Sequence, residues 1–236
     1  MTKQCIIVYN RYMTLVIDKY TYPELEREMI SGVRHYTDGD TPVPSVTTIL
    51  SETGDKTALF EWRKRVGDAE ANRISRESAG LGTKVHNALE KYALGEEWDT
   101  FGNNLVSTMA KSMTSEMIDK GLSNVSEIWG IEVGLIARGL YAGTADCVGM
   151  YNGVPSIIDF KTAKKLKKRE WIDDYFMQGA AYTLAHNEMF DSGIDQVAIL
   201  MVDRDNKFKD YIVSGQELTK FKSLWGQRIQ DYYSRI

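Results

Sequence analysis

Cysteine is scarce in this chain. Cys5 and Cys147 are the only two among 236 residues, too few for a disulfide framework or for a four-cysteine zinc or iron–sulfur site. Long hydrophobic runs are also missing: no apolar stretch approaches the roughly 20 residues that a membrane-spanning helix needs. The opening Met1-Thr2-Lys3-Gln4-Cys5 has neither a secretory signal layout nor the Arg- and Ser-rich character of a mitochondrial presequence. The expectation is a soluble, cytoplasmic protein without membrane contact. No internal repeat or low-complexity linker divides the chain, and its length favours one well-buried domain. A net positive charge is lacking too, since the formal balance is −4. That excludes a protein coated in basic residues, but not one with a positive channel.

What is present is a pair of carboxylates and a lysine at a telling spacing. Gly143-Thr144-Ala145-Asp146 is followed by Asp159-Phe160-Lys161. Val148 to Tyr151 is apolar and β-prone, Asn152-Gly153 is a strong hairpin signal, and Ser156 to Phe160 resumes as a second strand. Pairing of the two strands brings Asp146 and Asp159 together at the open end of the hairpin. Two anions that close repel, so they require a cation or a shared proton. Hard oxygen ligands suit Mg²⁺ or Mn²⁺. Period-2 alternation puts Lys161 on the sheet face of Asp159, and carboxylates, a lysine and a divalent ion make a set suited to phosphodiester hydrolysis.

This motif resembles that of the PD-(D/E)XK nuclease superfamily, although no proline precedes the first aspartate. Upstream, Gly82-Thr83-Lys84-Val85-His86-Asn87-Ala88-Leu89-Glu90 looks like the Gly-Thr-x-x-His helix of the RecB-like branch. Glu132 lies in the preceding strand, and Gln178-Gly179-Ala180-Ala181-Tyr182 is similar to that branch's Gln-x-x-x-Tyr motif. Pro44 to Leu50, Leu59 to Arg63 and Val66-Gly67 resemble the amino-terminal region of exonucleases related to the mitochondrial genome maintenance exonuclease, a group with phage-encoded members. The resemblance runs over about residues 34–215. It implies a restriction-endonuclease-like α/β (α+β) core, with a mixed central sheet flanked by helices and a helical N-terminal region. It also implies degradation of single-stranded DNA from its ends with Mg²⁺ or Mn²⁺, in phage or bacterial replication, recombination or repair and with proteins of those processes as partners. Some RecB-like relatives carry an iron–sulfur cluster; two cysteines do not allow one here.

The elements read from the pattern are a β-hairpin over residues 4–17 around Asn10-Arg11, a short helix from Tyr22 to Ser31, and a loop from Thr37 to Pro44. A helix capped by Ser45 follows, then helices over 57–66 and 68–78. Gly80-Leu81-Gly82 reads as a break, with Thr83 opening a new helix whose buried stripe is Val85, Ala88, Leu89 and Tyr92. A helix over 104–120, strands over 126–135, 140–151 and 156–160, a helix over 169–187, a hairpin over 196–213 and a terminal helix complete the chain. One nuclease domain is expected over 1–236, with a front subregion over 1–80, the core over 81–215 and the last helix over 216–236.

Within that reading Asp146, Asp159, the Phe160 carbonyl and His86 hold one or two metal ions, and Lys161 positions the attacking water and offsets charge on the phosphate. Glu90, Glu132 and Tyr182 are supporting residues, Tyr182 being as readily plain core. Gln178 is placed to hydrogen-bond the strand backbone or a water. Lys164 and Lys165 are expected at backbone phosphates, while Lys167, Lys168 and Arg169 read equally as a solvated run. Trp62 and Arg63 could stack on unpaired bases. His35 and His186 read as surface residues. The rivals are an endonuclease or double-strand exonuclease on the same core, a non-catalytic DNA-binding recombination accessory, and an unrelated metallohydrolase built on His86 and Glu90.

Overall fold

The computed structural model describes residues 4–9 and 12–235, with side chains from Val16 onward; the Asn10-Arg11 turn lies outside them. In chain order come β1 (Gln4–Tyr9), β2 (Tyr12–Ile17), β3 (Glu26–Ile30), β4 (Val33–Thr37), β5 (Val43–Pro44), α1 (Val46–Thr53), α2 (Thr57–Val66), α3 (Asp68–Ala93) and α4 (Leu105–Lys120). Then follow β6 (Val125–Ala137), β7 (Tyr141–Tyr151), β8 (Val154–Ala163), α5 (Asp173–Phe190), β9 (Gln196–Asp203), β10 (Phe208–Ser214) and α6 (Gly215–Tyr233).

A mixed seven-stranded sheet runs β1-β2-β6-β7-β8-β9-β10. The β2–β6 and β8–β9 pairs are parallel and the rest antiparallel. Helices cover both faces. Ile49 of α1, Phe176 of α5 and Trp225 of α6 share one core with Ile157, Val197 and Ile199. Val85 and Leu89 of α3 and Met113 and Met117 of α4 share the other with Ile158, Phe160 and Leu200. Successive residues of β8 and β9 thus feed opposite cores, as a pleated strand requires. With both faces covered, β9 is buried at every position, which is why it reads as a continuous apolar run. The architecture is α/β with a mixed central sheet flanked by helices, as expected. Among the described residues no helix is long and apolar enough to cross a membrane.

Three expectations are corrected. The segment read as a helix from Tyr22 to Ser31 instead crosses β6 and enters an antiparallel hairpin, β3–β4. Ser31 and Gly32, with φ of 52° and 81°, make its two-residue turn, the left-handed pair that suits the twist of a tight hairpin. Secondly, α3 runs unbroken through Gly80 and Gly82. Helix propensity alone disfavours those glycines, but Gly82 packs toward Thr162 of β8, where a Cβ would lie 3.4 Å from its Oγ1. Thirdly, His186 is fully buried. Its Nδ1 lies 2.6 Å from Ser192 Oγ, and Ser192 donates its proton to Asn187 Oδ1 at 2.7 Å. Nδ1 therefore carries the hydrogen, and Nε2 accepts from the Tyr22 hydroxyl at 3.1 Å. Both nitrogens of the neutral ring are satisfied.

Two outcomes follow from this packing. Gly179 lets α5 lie directly on β9: a Cβ there would fall 2.3 Å from Val197 Cγ1. Gly179→Ala should therefore cost about 1–3 kcal/mol, read as a lower denaturant midpoint at unchanged slope. Burial holds the His186 pKa down at about 4 from its ordinary 6.5, with the Lys19 charge adding to it. Above pH 6.5 the ring is neutral folded or unfolded, so no penalty exists. As pH falls from 6.5 toward 4 the unfolded chain takes the proton first, and about 3 kcal/mol of stability is lost. His186→Gln should flatten that part of the stability–pH curve relative to the parent protein.

Candidate active site

The β7–β8 ladder ends at the pair Cys147–Ile158. One step further the register sets Asp146 against Asp159. There the backbone pairing gives way to a side chain, as Asp146 Oδ2 accepts the Phe160 N–H at 2.7 Å. On the other side of β7, the pairs Ile131–Cys147 and Val133–Ala145 bracket Glu132 and place it opposite Asp146. Glu132 sits at φ 49°, a left-handed conformation uncommon for a residue with a Cβ. It interrupts the pleat, so simple alternation does not set the direction of this side chain. Such backbone costs of order 1–3 kcal/mol and persists only where its surroundings hold it.

His86, from α3, completes the group. His86, Glu132 and Asp146 each offer one ligand atom, all within 4.8 Å of one another, and His86 Nδ1 is 3.7 Å from Asp146 Oδ2. Two carboxylates and an imidazole fit a divalent cation, and the nitrogen donor suits Mn²⁺ better than Mg²⁺. The electrostatics agree. Glu132 as a residue is exposed, but burial of its carboxyl end pushes its pKa up to about 7, and the charges of Asp146, Glu90 and Asp159 add to that against Lys161. The anions here exceed the cations available to balance them.

Asp159 is only 1 % exposed, and it stands outside that three-residue group. Its Oδ1 accepts from Lys161 Nζ at 2.7 Å, with Oδ2 2.6 Å from the same nitrogen but off the direction of a hydrogen bond. Burial pulls the ammonium toward losing its proton, but the charges of Asp159 and Asp146 outweigh it and the net shift is upward. Lys161 stays charged. Burial raises the Asp159 carboxyl, opposed by Lys161 and reinforced by Asp146. Gln178 Oε1 takes a further hydrogen from Lys161 at 3.2 Å, and the Tyr175 ring lies 5.0 Å beneath the ammonium. Tyr182 is buried one turn beyond Gln178. Its hydroxyl occupies the space over Gly143, where a Cβ would come within 2.8 Å, so this glycine is needed for a close approach. The Phe160 ring packs in the core beside His86, at 6.1 Å between centroids. Glu90 is half-buried one turn beyond His86.

The residues expected at the strand backbone are more scattered. Lys165 is ion-paired with Asp205, Lys167 donates to the Tyr175 hydroxyl at 2.6 Å, and Arg169 binds Glu217 at 2.7 Å. Lys164, exposed, has no ion-pair partner among the described residues. The loop carrying Lys164 and Lys165 is fastened by buried Asp203, whose Oδ2 accepts the Leu166 N–H at 3.1 Å. Trp62 is half-buried on α2, and the Arg63 guanidinium is held by Asp68 and by Asn72 at 3.0 Å. The sequence reading passed over Arg27 and Arg34. They line the same cleft as Glu132, Asp146 and Gln178; the Ser31-Gly32 turn, once seen as a hairpin, would have put them on one face.

No family model matches the chain. It is similar to the human mitochondrial genome maintenance exonuclease 1, with 27% identity over 205 residues, 80% of this chain and 58% of the human protein. The chain thus spans somewhat more than half the length of that curated relative. Among solved structures, a protein from Eubacterium rectale that carries an exonuclease name superposes with a TM-score of 0.49 at 13% identity, covering 67% of this chain and 65% of that one.

The buried pair makes a stability test. Lys161→Met leaves a carboxylate uncompensated and should cost about 3–5 kcal/mol near neutral pH. Asp159→Asn added to Lys161→Met should recover most of it, since a neutral pair replaces a lone charge. The denaturant midpoints of the two single variants, the double variant and the parent close the cycle; additive losses would mean that the pair is not coupled.

Proposed function

We propose that the protein is a divalent-metal-dependent deoxyribonuclease of the RecB-like PD-(D/E)XK type that degrades single-stranded DNA from its ends. The observation that carries this reading is the His86–Glu132–Asp146 ligand group set directly beside the buried Asp159–Lys161 pair. The similarity to an exonuclease supports it, as does the order of the Gly-Thr-x-x-His, Asp, Asp-x-Lys and Gln-x-x-x-Tyr segments along the chain. A phage or bacterial setting in DNA replication, recombination or repair belongs to the same proposal.

His86, Asp146 and Glu132 would hold the cation, with Asp159 and the Phe160 carbonyl as further donors on β8. Bound there, Mg²⁺ or Mn²⁺ supplies a Lewis acid that polarises the phosphodiester and offsets the charge gained as the linkage opens. The protein's own groups do the rest. Lys161 carries its proton and stays fixed between Asp159 and Gln178, so its ammonium can orient the attacking water and face the phosphate oxygens without reorganisation. Glu132, whose pKa burial and the neighbouring anions raise to about 7 in the metal-free site, would give up its proton and serve as a ligand once a cation offsets those anions. Gln178, anchored through Lys161, offers an amide for a strand oxygen. Lys164 neutralises a strand phosphate, Lys165 does so by exchanging Asp205 for the strand, and Trp62 offers a ring for an unpaired base.

The test uses end-labelled single-stranded DNA as a linear oligonucleotide and as its covalently closed circle. With Mg²⁺ or Mn²⁺ the linear form should shorten progressively while the circle survives. Excess chelator should stop the reaction, and Ca²⁺ should bind yet support little cleavage, because its looser shell positions water poorly. Lys161→Ala should lose cleavage and keep most of its affinity for the strand in Ca²⁺. Equal cutting of circle and line would make the protein an endonuclease; full activity in chelator would remove the metal from the reading altogether.

A further inference from the structure

The cleft that holds Glu132, Asp146 and Gln178 has a second wall, and that wall is basic. It is formed by the β3–β4 hairpin, where Arg27 of β3 and Arg34 of β4 line the cleft together with Tyr36 and Thr47. The register explains the arrangement. Arg27 pairs with Tyr36 and Arg34 with Met29, so Arg27, Arg34 and Tyr36 share one face of the small sheet. The acids of β3, Glu26 and Glu28, alternate to the other face and leave these guanidiniums uncompensated. Arg34 is half-buried and Arg27 exposed.

Arg65 and Arg76 are exposed on α2 and α3 and do not line this cleft, and most other arginines are paired. Arg63, Arg73, Arg138, Arg169 and Arg228 are each held by a carboxylate. Among the described residues neither Arg27 nor Arg34 makes an ion pair or a side-chain hydrogen bond, although acids line the same cleft. The hairpin is also firmly seated: the Arg34 carbonyl accepts from Ser45 N at 2.9 Å and from Thr48 Oγ1 at 3.1 Å, which ties β4 to the start of α1. Two free planar forks on a fixed backbone, next to hydroxyl donors, form a receptor for an oxyanion, and guanidinium matches phosphate with paired hydrogen bonds.

We propose that Arg27 and Arg34 form a phosphate-binding subsite that grips one phosphate of the DNA strand next to the scissile linkage. This rests on the nuclease reading, which makes a strand phosphate the anion that enters the cleft. The subsite shares no lining residue with the pocket of Lys164, Lys165, Lys167 and Arg204. The strand therefore meets basic groups at two separate places, and Arg27 and Arg34 act by positioning it over the catalytic group. The phosphate is either internal or the terminal one of the strand.

The experiment measures binding in Ca²⁺ of three oligothymidylates, one with a 5′-phosphate, one with a 3′-phosphate and one with neither, to the parent protein, Arg27→Gln/Arg34→Gln and Arg27→Lys/Arg34→Lys. The glutamine pair should weaken binding about tenfold or more. It should also make the slope of log affinity against log salt shallower by about 0.7, the change expected when one phosphate of a single strand is no longer neutralised. The lysine pair should keep the slope and recover only part of the affinity. A loss seen with all three probes assigns an internal phosphate; a loss confined to one end-phosphorylated probe assigns that terminus. If the parent protein binds in Ca²⁺ and cuts in Mg²⁺ or Mn²⁺ while the glutamine pair matches it in affinity and slope on every probe, the subsite is overturned and the nuclease reading stands. If the parent protein neither binds nor cuts, both fall together.

Discussion

The site is organised by a shortage of positive charge. Glu90, Glu132, Asp146 and Asp159 converge where β7 and β8 part, and Lys161 is the half-buried cation among them. Burying a lone carboxylate is expensive, so a wholly enclosed Asp159 demands its ammonium. Period-2 alternation within Asp159-Phe160-Lys161 delivers it on the same face. Spent on Asp159, the lysine leaves Glu132 and Asp146 under-balanced, with His86 near them at 3.7 Å from Asp146. Glu132 responds by holding its proton up to about pH 7. A divalent cation is the natural relief for such a group.

The backbone does the work of bringing these groups together. Asp146 can turn its carboxylate to the Phe160 N–H because the ladder stops at Cys147–Ile158. If pairing ran one step further, both aspartates would be locked into a continuous sheet. Glu132 reaches the same point by giving up regular strand geometry at φ 49°, a local cost that the flanking β6–β7 pairs hold in place. On the opposite side, α5 must approach the sheet closely. Gly179 permits that against Val197, and the neighbouring turn then presents Gln178 and Tyr182 four residues apart on one face. Seating the helix and positioning its polar residues are one event.

Much of this was readable from local chemistry. Asn152-Gly153 announced the β7–β8 turn, with φ of 51° and 77°. Ser45 caps α1 by accepting the Thr48 N–H at 2.9 Å, and the stripe Val85, Ala88 and Leu89 is buried as its spacing implies. What escaped were features decided by partners far along the chain. Glu-Arg-Glu-Met-Ile favours helix by composition, but pairing with β4, itself joined to β5, makes it a strand. Glycines 80 and 82 look like a break until Thr162 of β8 is set against Gly82, while Gly80 faces open space. His186 looks solvated until Tyr22, Ser192 and the rings of Tyr20 and Phe190 enclose it. The side-chain direction of Glu132 could not follow from alternation, since its own backbone breaks the pleat.

The net charge of −4 and the acid-rich cleft are compatible with a polyanionic substrate only if attraction and chemistry are separated in space. The structure has that separation. Glu132, Asp146 and Asp159 sit on strands of the main sheet, where register fixes them. Among the basic groups that line the cleft and the Lys164 pocket, those without a partner sit on appended elements: Lys164 on a loop fastened through Asp203, and Arg27 and Arg34 on a hairpin fastened through the Arg34 carbonyl. Had the basic groups entered the cleft floor, they would have paired with Glu132 and Asp146 and cancelled the charge that selects a metal. On the proposed function, basic groups held at its margins would raise the local concentration of a strand without quenching the group beneath it. On that proposal the same separation lets an acidic protein offer a binding path that its overall charge does not reveal.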